Sequence, residues 1–277
     1  MGCWRRSGIL AYDHNRKAGN PGDVIKHVGL IAALLSSDKT EHAFRFVDLF
    51  AGYAYNPIVD GNEWCEGIGR ITTCSENSAN LAVQLYLDWY LSRPSLVGGM
   101  YPGSSLVAND VLTYLGTGIE LTLYDISEKP IRNLKRVYGT DKHSIHHRAG
   151  SLDDPEIALA DFMFIDPPGI RSLRESTYPK LSDLIELAEL PEMCQTLFWL
   201  PLTDSKTENS AAIQSLLQCG FDISRAVWAN QSRMIGCFLA YKLSVAGKNQ
   251  LRSAVEEAFE IARLGVLESS MVDHLDA

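Results

Sequence analysis

Apolar positions along this chain fall into two alternating kinds of run. Some are short, near-continuous blocks, and others recur every three or four residues. Phe162-Met163-Phe164-Ile165 is a block without polar interruption, the pattern of a strand buried on both faces of a parallel sheet. Phe44 to Asp48 and Ile119 to Tyr124 read as two more strands. After Pro21-Gly22-Asp23, the positions Val24, Val28, Ile31, Leu34 and Leu35 recur at helical spacing, which predicts a helix with one apolar face ending near Ser37. Helices are likewise expected over Ser104 to Leu115, Glu128 to Tyr138, Leu181 to Leu190 and about Ser205 to Cys219. Strands are expected at His143 to Arg148 and Gln195 to Leu200. Ile223 to Ala229 and Met234 to Leu243 follow each other at hairpin spacing, so the sheet should finish antiparallel before a last helix over Gln250 to Leu264. This alternation predicts an α/β fold, Rossmann-like, with a mostly parallel sheet ending in an antiparallel hairpin.

Acids end three of these strands. The block at 162–165 runs into Asp166-Pro167-Pro168, and ligands of open α/β sheets sit beyond the carboxyl ends of strands. The prolines fix φ and remove two backbone donors, leaving carbonyls that can only accept. A carboxylate beside such a carbonyl suits the gripping of both N–H hydrogens of an exocyclic amine. Taken alone, the tripeptide also reads as a strand ending in a proline turn. The first strand ends in Asp48-Leu49-Phe50-Ala51-Gly52, where Gly52 permits a tight turn and close approach to a ligand. The dinucleotide fingerprint G-x-G-x-x-G is absent. Asp125 ends the next strand, where an acid in nucleoside-binding folds accepts from the ribose hydroxyls. Asp48 and Asp125 lie 77 residues apart, against about 20 in the usual unit. The difference predicts an insertion over residues 61–101, a helical subdomain with a helix starting at Ser75-Glu76 and stopping before Pro94. The remainder of 1–277 reads as a single domain.

Composition adds limits. With 46% hydrophobic and 21% charged residues, the chain has the make-up of a globular protein. No apolar stretch approaches the roughly 18 residues of a membrane span, and no secretory leader is evident after Arg5 and Arg6. The six cysteines form no C-x-x-C pair, so no metal site is expected and a reducing cytoplasm is. A net charge of −9 argues against a broadly basic surface. Residues 1–30, however, carry Arg5, Arg6, Arg16, Lys17 and Lys26 against Asp13 and Asp23, a local footprint for one nucleotide and its neighbours.

The ordered motifs resemble one family, the bacterial ribosomal RNA large-subunit adenine-N(6) methyltransferases of the J type. Tyr12-Asp13-His14, Ala18-Gly19-Asn20 and Asp23-Val24-Ile25-Lys26-His27 are similar to its amino-terminal pattern. Tyr101-Pro102-Gly103-Ser104 and Phe198-Trp199-Leu200-Pro201 follow in family order, with Asp48-x-x-Ala51-Gly52 and Asp166-Pro167-Pro168 between and around them. The predicted sheet is also the layout of S-adenosylmethionine (SAM)-dependent methyltransferases. The resemblance implies SAM as cofactor. Asp48, Phe50 and Gly52 would lie at its first turn, Lys26 and His27 near its methionine end, Ser104 in contact with it, Asp125 on the ribose and Gly150 by the adenine. Asp166 would be the catalytic acid, assisted by the Pro167 carbonyl, with Tyr12 and His14 approaching the target base. RNA is the implied substrate, no membrane is involved, and a monomer is expected.

Three departures from the family matter. Phe50 replaces a His, Ala149 stands where the family has an acid, and Gly169 replaces the aromatic that stacks on the flipped adenine. Stacking is worth on the order of 1–3 kcal/mol per base, so Tyr12 or Tyr178 is expected to substitute for it. The implied activity is SAM-dependent N-methylation of an exocyclic amine, adenine N(6) of ribosomal RNA. The alternatives are a DNA or other amine methyltransferase, or a catalytically silent relative that binds SAM and RNA.

Overall fold

The structure is a computed structural model that describes residues 18–38, 42–58, 63–74, 78–91, 99–139, 141–169, 179–191, 194–202, 205–228, 235–262 and 265–269. Its centre is an eight-stranded sheet. The strands are β1 (Phe44–Asp48), β4 (Ile119–Tyr124), β5 (Ser144–His146), β6 (Phe162–Ile165), β7 (Gln195–Leu202), β8 (Asp222–Trp228), β9 (Gly236–Lys242) and β10 (Gly265–Ser269). Their order is β10-β8-β9-β7-β6-β1-β4-β5. The run from β7 through β5 is parallel, whereas β9, β8 and β10 are antiparallel to their neighbours. This is the expected Rossmann-like α/β arrangement with an antiparallel end.

β6, at the middle of the parallel run, is buried on both faces, which explains its unbroken apolar sequence. Phe46, Leu121, Leu123, Phe162 and Phe164 point into one core, under α1 (Pro21–Leu35) and the helices Ser104–Tyr114 and Val245–Ala262. Val47, Met163, Ile165 and Phe198 point into the other, under Leu181–Glu189 and Lys206–Gln218. Register then carries the acids to one edge. Asp48 lies level with Leu123 of β4 and Phe164 of β6, so Asp125 and Asp166 emerge two residues further along the flanking strands.

Several expectations are corrected in detail. The first helix was expected to present one apolar face, yet every residue from Pro21 to Leu34 is buried. It is clamped between the sheet and the helices Leu81–Leu91, Ser104–Tyr114 and Val245–Ala262. Its start is set by Pro21 in the first turn and by the Asn20 side chain, which accepts from the Asp23 N–H at 2.9 Å. Of the expected hairpin, the structure describes strand at Asp222–Trp228 and Gly236–Lys242, and the expected strand ends at Ala229 and Met234 lie outside the described residues. The last helix spans Val245–Ala262, and β10 follows it onto the β8 edge. That strand went unread because its short apolar run, Gly265-Val266-Leu267, extends the helical pattern before it.

Within the expected insertion the structure has a 3-10 turn (Glu63–Glu66), α2 (Ile68–Cys74) and α3 (Leu81–Leu91). Its two ends are joined by a small antiparallel pair, β2 (Tyr55–Pro57) with β3 (Met100–Pro102). Ile68, Ile71, Ala82, Val83 and Tyr86 enter the same core as α1. The helix expected to start at Ser75 begins at Leu81 instead. The Asn80 side chain accepts from the Ala82 N–H at 2.9 Å and caps it there.

Candidate active site

The three strand-end acids occupy different environments. Asp48 is fully buried. Its Oδ1 accepts the Phe50 N–H at 3.0 Å, and its Oδ2 accepts the Ser104 hydroxyl at 2.6 Å. Ser104 is delivered by the first turn of its helix, and Gly103 makes that delivery possible. A Cβ at Gly103 would lie 2.1 Å from the Tyr53 carbonyl oxygen, so the helix start and the strand-end turn meet backbone to backbone. Burial pushes the Asp48 carboxyl up to about 7. Ser104 and the Phe50 N–H oppose the rise, the charge of Asp166 adds to it, and Lys26 offsets part of it.

Asp166 follows β6 directly, and Lys26 reaches it from α1. The Lys26 Nζ lies 2.8 Å from Asp166 Oδ2 and 2.7 Å from Asp23 Oδ1. This ammonium is buried, 4% exposed, which rules out a solvated helix-start lysine. Burial alone would lower its pKa, but Asp166 and Asp23 outweigh burial and hold it above the ordinary lysine value. Asp23 is itself anchored by the Gly19 N–H at 2.9 Å. The Trp199 ring lies 5.5 Å from the Lys26 ammonium and contributes a cation–π contact. Two carboxylates therefore contact one ammonium, with Asp48 near enough to feel both Asp166 and Lys26, so the cluster is net anionic and becomes more so when Asp48 ionises.

His27 turns to the other side of α1. Its ring stacks on Tyr101 at 5.2 Å, its Nδ1 lies 2.9 Å from the Tyr101 hydroxyl, and that hydroxyl lies 3.0 Å from Tyr86. All three residues are buried, so the ring orientation is fixed.

The turn after β1 is stitched to β4. The Ala51 N–H donates to the Tyr124 carbonyl at 2.9 Å, and the Gly52 N–H donates to Asp125 Oδ2 at 3.1 Å. Gly52 has φ of +58°, with no atom within 4 Å of a built Cβ, an open left-handed turn. Asp125 Oδ1 accepts the Ser127 N–H at 2.6 Å. Burial raises the Asp125 pKa, and these two N–H donors oppose the rise. A carboxylate offers about four acceptor sites, so two hydroxyls can still be received. Gly150 crosses the end of β1, where a Cβ would be 2.9 Å from Leu49. The loop beyond it is tied by Arg148, bidentate to Asp154 at 2.6 and 2.5 Å. A SAM-like ligand fits this edge: a left-handed glycine turn after β1, a second glycine packed close against Leu49, and between them an acid with spare acceptor capacity.

The structure thus pairs Lys26 with Asp166 and Ser104 with Asp48, the two pairs close enough to couple electrostatically, and places Gly52, Asp125 and Gly150 along the adjoining strand ends. Phe50 is half-buried and packs against the core beneath, and Pro167 is buried after Asp166. Tyr12, His14, Arg171, Arg174 and Tyr178 lie outside the described residues. The amino-terminal basic footprint is corrected at Lys26, which is ion-paired in the interior. Sequence reasoning missed Asp23 as the second partner of Lys26, and Tyr86 behind Tyr101. Asp23 carried a signal, since residues i and i+3 share a helix face. Among the described residues no group of three or more His, Cys, Asp or Glu could hold a metal, and no helix is long and apolar enough to cross a membrane.

Asp48 yields a measurable consequence. Its folded pKa stands above its ordinary value, so its contribution to stability is complete at low pH and is lost as pH rises through about 7. Asp48→Asn should therefore gain on wild type in denaturant midpoint between about pH 5 and about pH 8. A difference that stays flat across that interval rejects a raised Asp48.

No family model matches the chain. Two curated relatives both carry the name ribosomal RNA large subunit methyltransferase J. The protein from Escherichia coli (strain K12) is 25% identical over 170 residues, covering 58% of this chain and 59% of that one. The protein from Haemophilus influenzae is 28% identical over 140 residues, covering 49% of each. The matches therefore span about half the length of these relatives. A crystal structure of protein LPL1258 from Legionella pneumophila, described under the family model DUF519, superposes with a TM-score of 0.71 at 19% identity. It covers 92% of this chain and 99% of that one. That likeness carries the fold.

Proposed function

We propose that this chain is a SAM-dependent methyltransferase acting on an exocyclic amine, adenine N(6) of ribosomal RNA. The observation that carries the reading is Asp166 at the end of β6, its Oδ2 held at 2.8 Å by a buried ammonium and followed by two residues without backbone donors. The similarity to relatives named as ribosomal RNA methyltransferases supports the substrate class.

Bound SAM would supply an electrophilic methyl group. This chain's residues have four tasks. Asp125 and the Gly52 turn receive the ribose, Gly150 lets the chain lie against the adenine, and Ser104 and Asp48 hold the floor between them. Asp166 accepts from the amine, whose nitrogen lone pair is otherwise delocalised into the ring, and so favours the pyramidal form that can attack. The Lys26 ammonium at 2.8 Å fixes the orientation of the Asp166 carboxylate, an acceptor-only group when charged. The anionic excess of the cluster favours the positive charge that develops on the amine. A base reaches such a pocket only after leaving its stack.

Titration calorimetry tests the first half of the reading. Wild type should bind SAM, and Asp125→Ala should weaken that binding by about 1–3 kcal/mol, because buried hydroxyls lose a charged acceptor. A folded wild type that gives no heat with SAM at hundred-micromolar concentration rejects the cofactor. SAM binding without methylation of any RNA favours the silent relative, a reading supported by the missing side chain at Gly169.

A further inference from the structure

We propose that the solvent face of the helix Glu128–Tyr138 is a docking surface for the phosphate backbone of RNA; the proposal rests on the RNA reading above and extends it to how the polyanion is held. The helix divides cleanly. Pro130, Ile131 and Leu134 are buried, whereas Lys129, Arg132, Lys135 and Arg136 are exposed on the opposite arc. Glu128 is the single acid of the helix, and it pairs with Arg132. Lys129, Lys135 and Arg136 have no ion pair among the described residues.

This arrangement is unusual for the chain that carries it. Acidic side chains outnumber basic ones, 34 to 25, and an ordinary solvated surface interleaves the two signs. A helix face with three uncompensated bases concentrates positive potential on an acidic protein, which is the electrostatic footprint of a nucleic-acid contact.

Its position suits the proposed chemistry. The helix begins immediately after Asp125, whose Oδ1 accepts the Ser127 N–H at 2.6 Å. The exposed His147 from the end of β5 bonds the Ile126 carbonyl at 3.1 Å, so the next strand end borders the same rim. From Lys129 to Arg136 the track runs for about 10 Å along the helix axis. β4 lies two strands from β6 in the sheet, so the start of this helix and Asp166 share the carboxyl edge.

The test is the triple variant Lys129→Gln, Lys135→Gln, Arg136→Gln. It removes three charges and leaves no described carboxylate without its partner. Binding is read by fluorescence anisotropy with labelled, deproteinised large-subunit ribosomal RNA over a salt series, without SAM. The variant should bind about ten-fold or more weakly at low salt, with the logarithmic salt slope shallower by about 0.7 for each phosphate that is no longer neutralised. Glu128→Gln, on the same face, should act oppositely and tighten binding. SAM calorimetry on the triple variant should match wild type, which separates this proposal from the cofactor reading. Wild-type affinity and salt slope in the triple variant overturn the proposal. So does a wild type that binds phosphatidylserine vesicles in place of RNA.

Discussion

Asp166→Asn should lower methyl transfer by two or more decades while leaving SAM affinity within a few-fold of wild type. The substitution preserves volume and the β6 end but replaces one carboxylate oxygen with an amide donor. An amine can then meet a donor where it needs an acceptor, and the anionic excess of the cluster falls by one charge. Lys26 keeps its second partner, Asp23, at 2.7 Å, so the ammonium is not stranded and the fold should survive. That distinguishes a chemical loss from a structural one. The measurement is single-turnover methylation of a ribosomal RNA substrate beside SAM calorimetry on the same sample. Full turnover in the variant removes the exocyclic-amine mechanism, and a parallel loss of SAM binding moves Asp166 from chemistry to cofactor affinity.

The largest effect on stability is expected from Lys26→Met. Methionine keeps much of the apolar stem but deletes the charge that Asp23 and Asp166 share. Breaking a buried ion pair from one side typically costs about 3–5 kcal/mol, because the surviving charges stay buried without compensation. Here two carboxylates are left, with Asp48 close enough for its titration to feel Asp166. Denaturant midpoints of the variant and wild type at one pH measure the loss. A loss within about 0.5 kcal/mol, as a surface substitution gives, would mean that the triad contributes little to the fold.

Much of this architecture was legible from local pattern. The continuous apolar block Phe162 to Ile165, and the run Phe44 to Val47 that only Arg45 interrupts, announce strands buried on both faces, because a parallel sheet has no wet side. The acids following those blocks sit at the carboxyl edge for the same reason that any residue after a strand does. Elements whose apolar runs are short were less legible. The β2 and β3 pair and β10 have a few residues each, and their identity comes from a distant partner more than from their own periodicity. α1 carried an amphipathic signature yet is buried all round, since burial depends on how many neighbours arrive and not on one helix's pattern.

The sequence by itself determined the kinds of groups at the edge: a carboxylate after each of three strands, a glycine at the first turn, two residues without N–H donors after Asp166, and a lysine in the first helix. These follow from the order of residues and from steric limits on each backbone. Only the tertiary structure decided what those groups are to one another. Lys26 and Asp166 are 140 positions apart and meet at 2.8 Å, and Ser104 and Asp48 meet at 2.6 Å across 56. Such contacts arise when helices close over the sheet and exclude water, and the same exclusion raises the Asp48 pKa, makes Lys26 depend on two acids and leaves the bases of the Glu128 helix outside. Charge in this protein acquires its chemical meaning from burial, and burial is a property of the assembled fold.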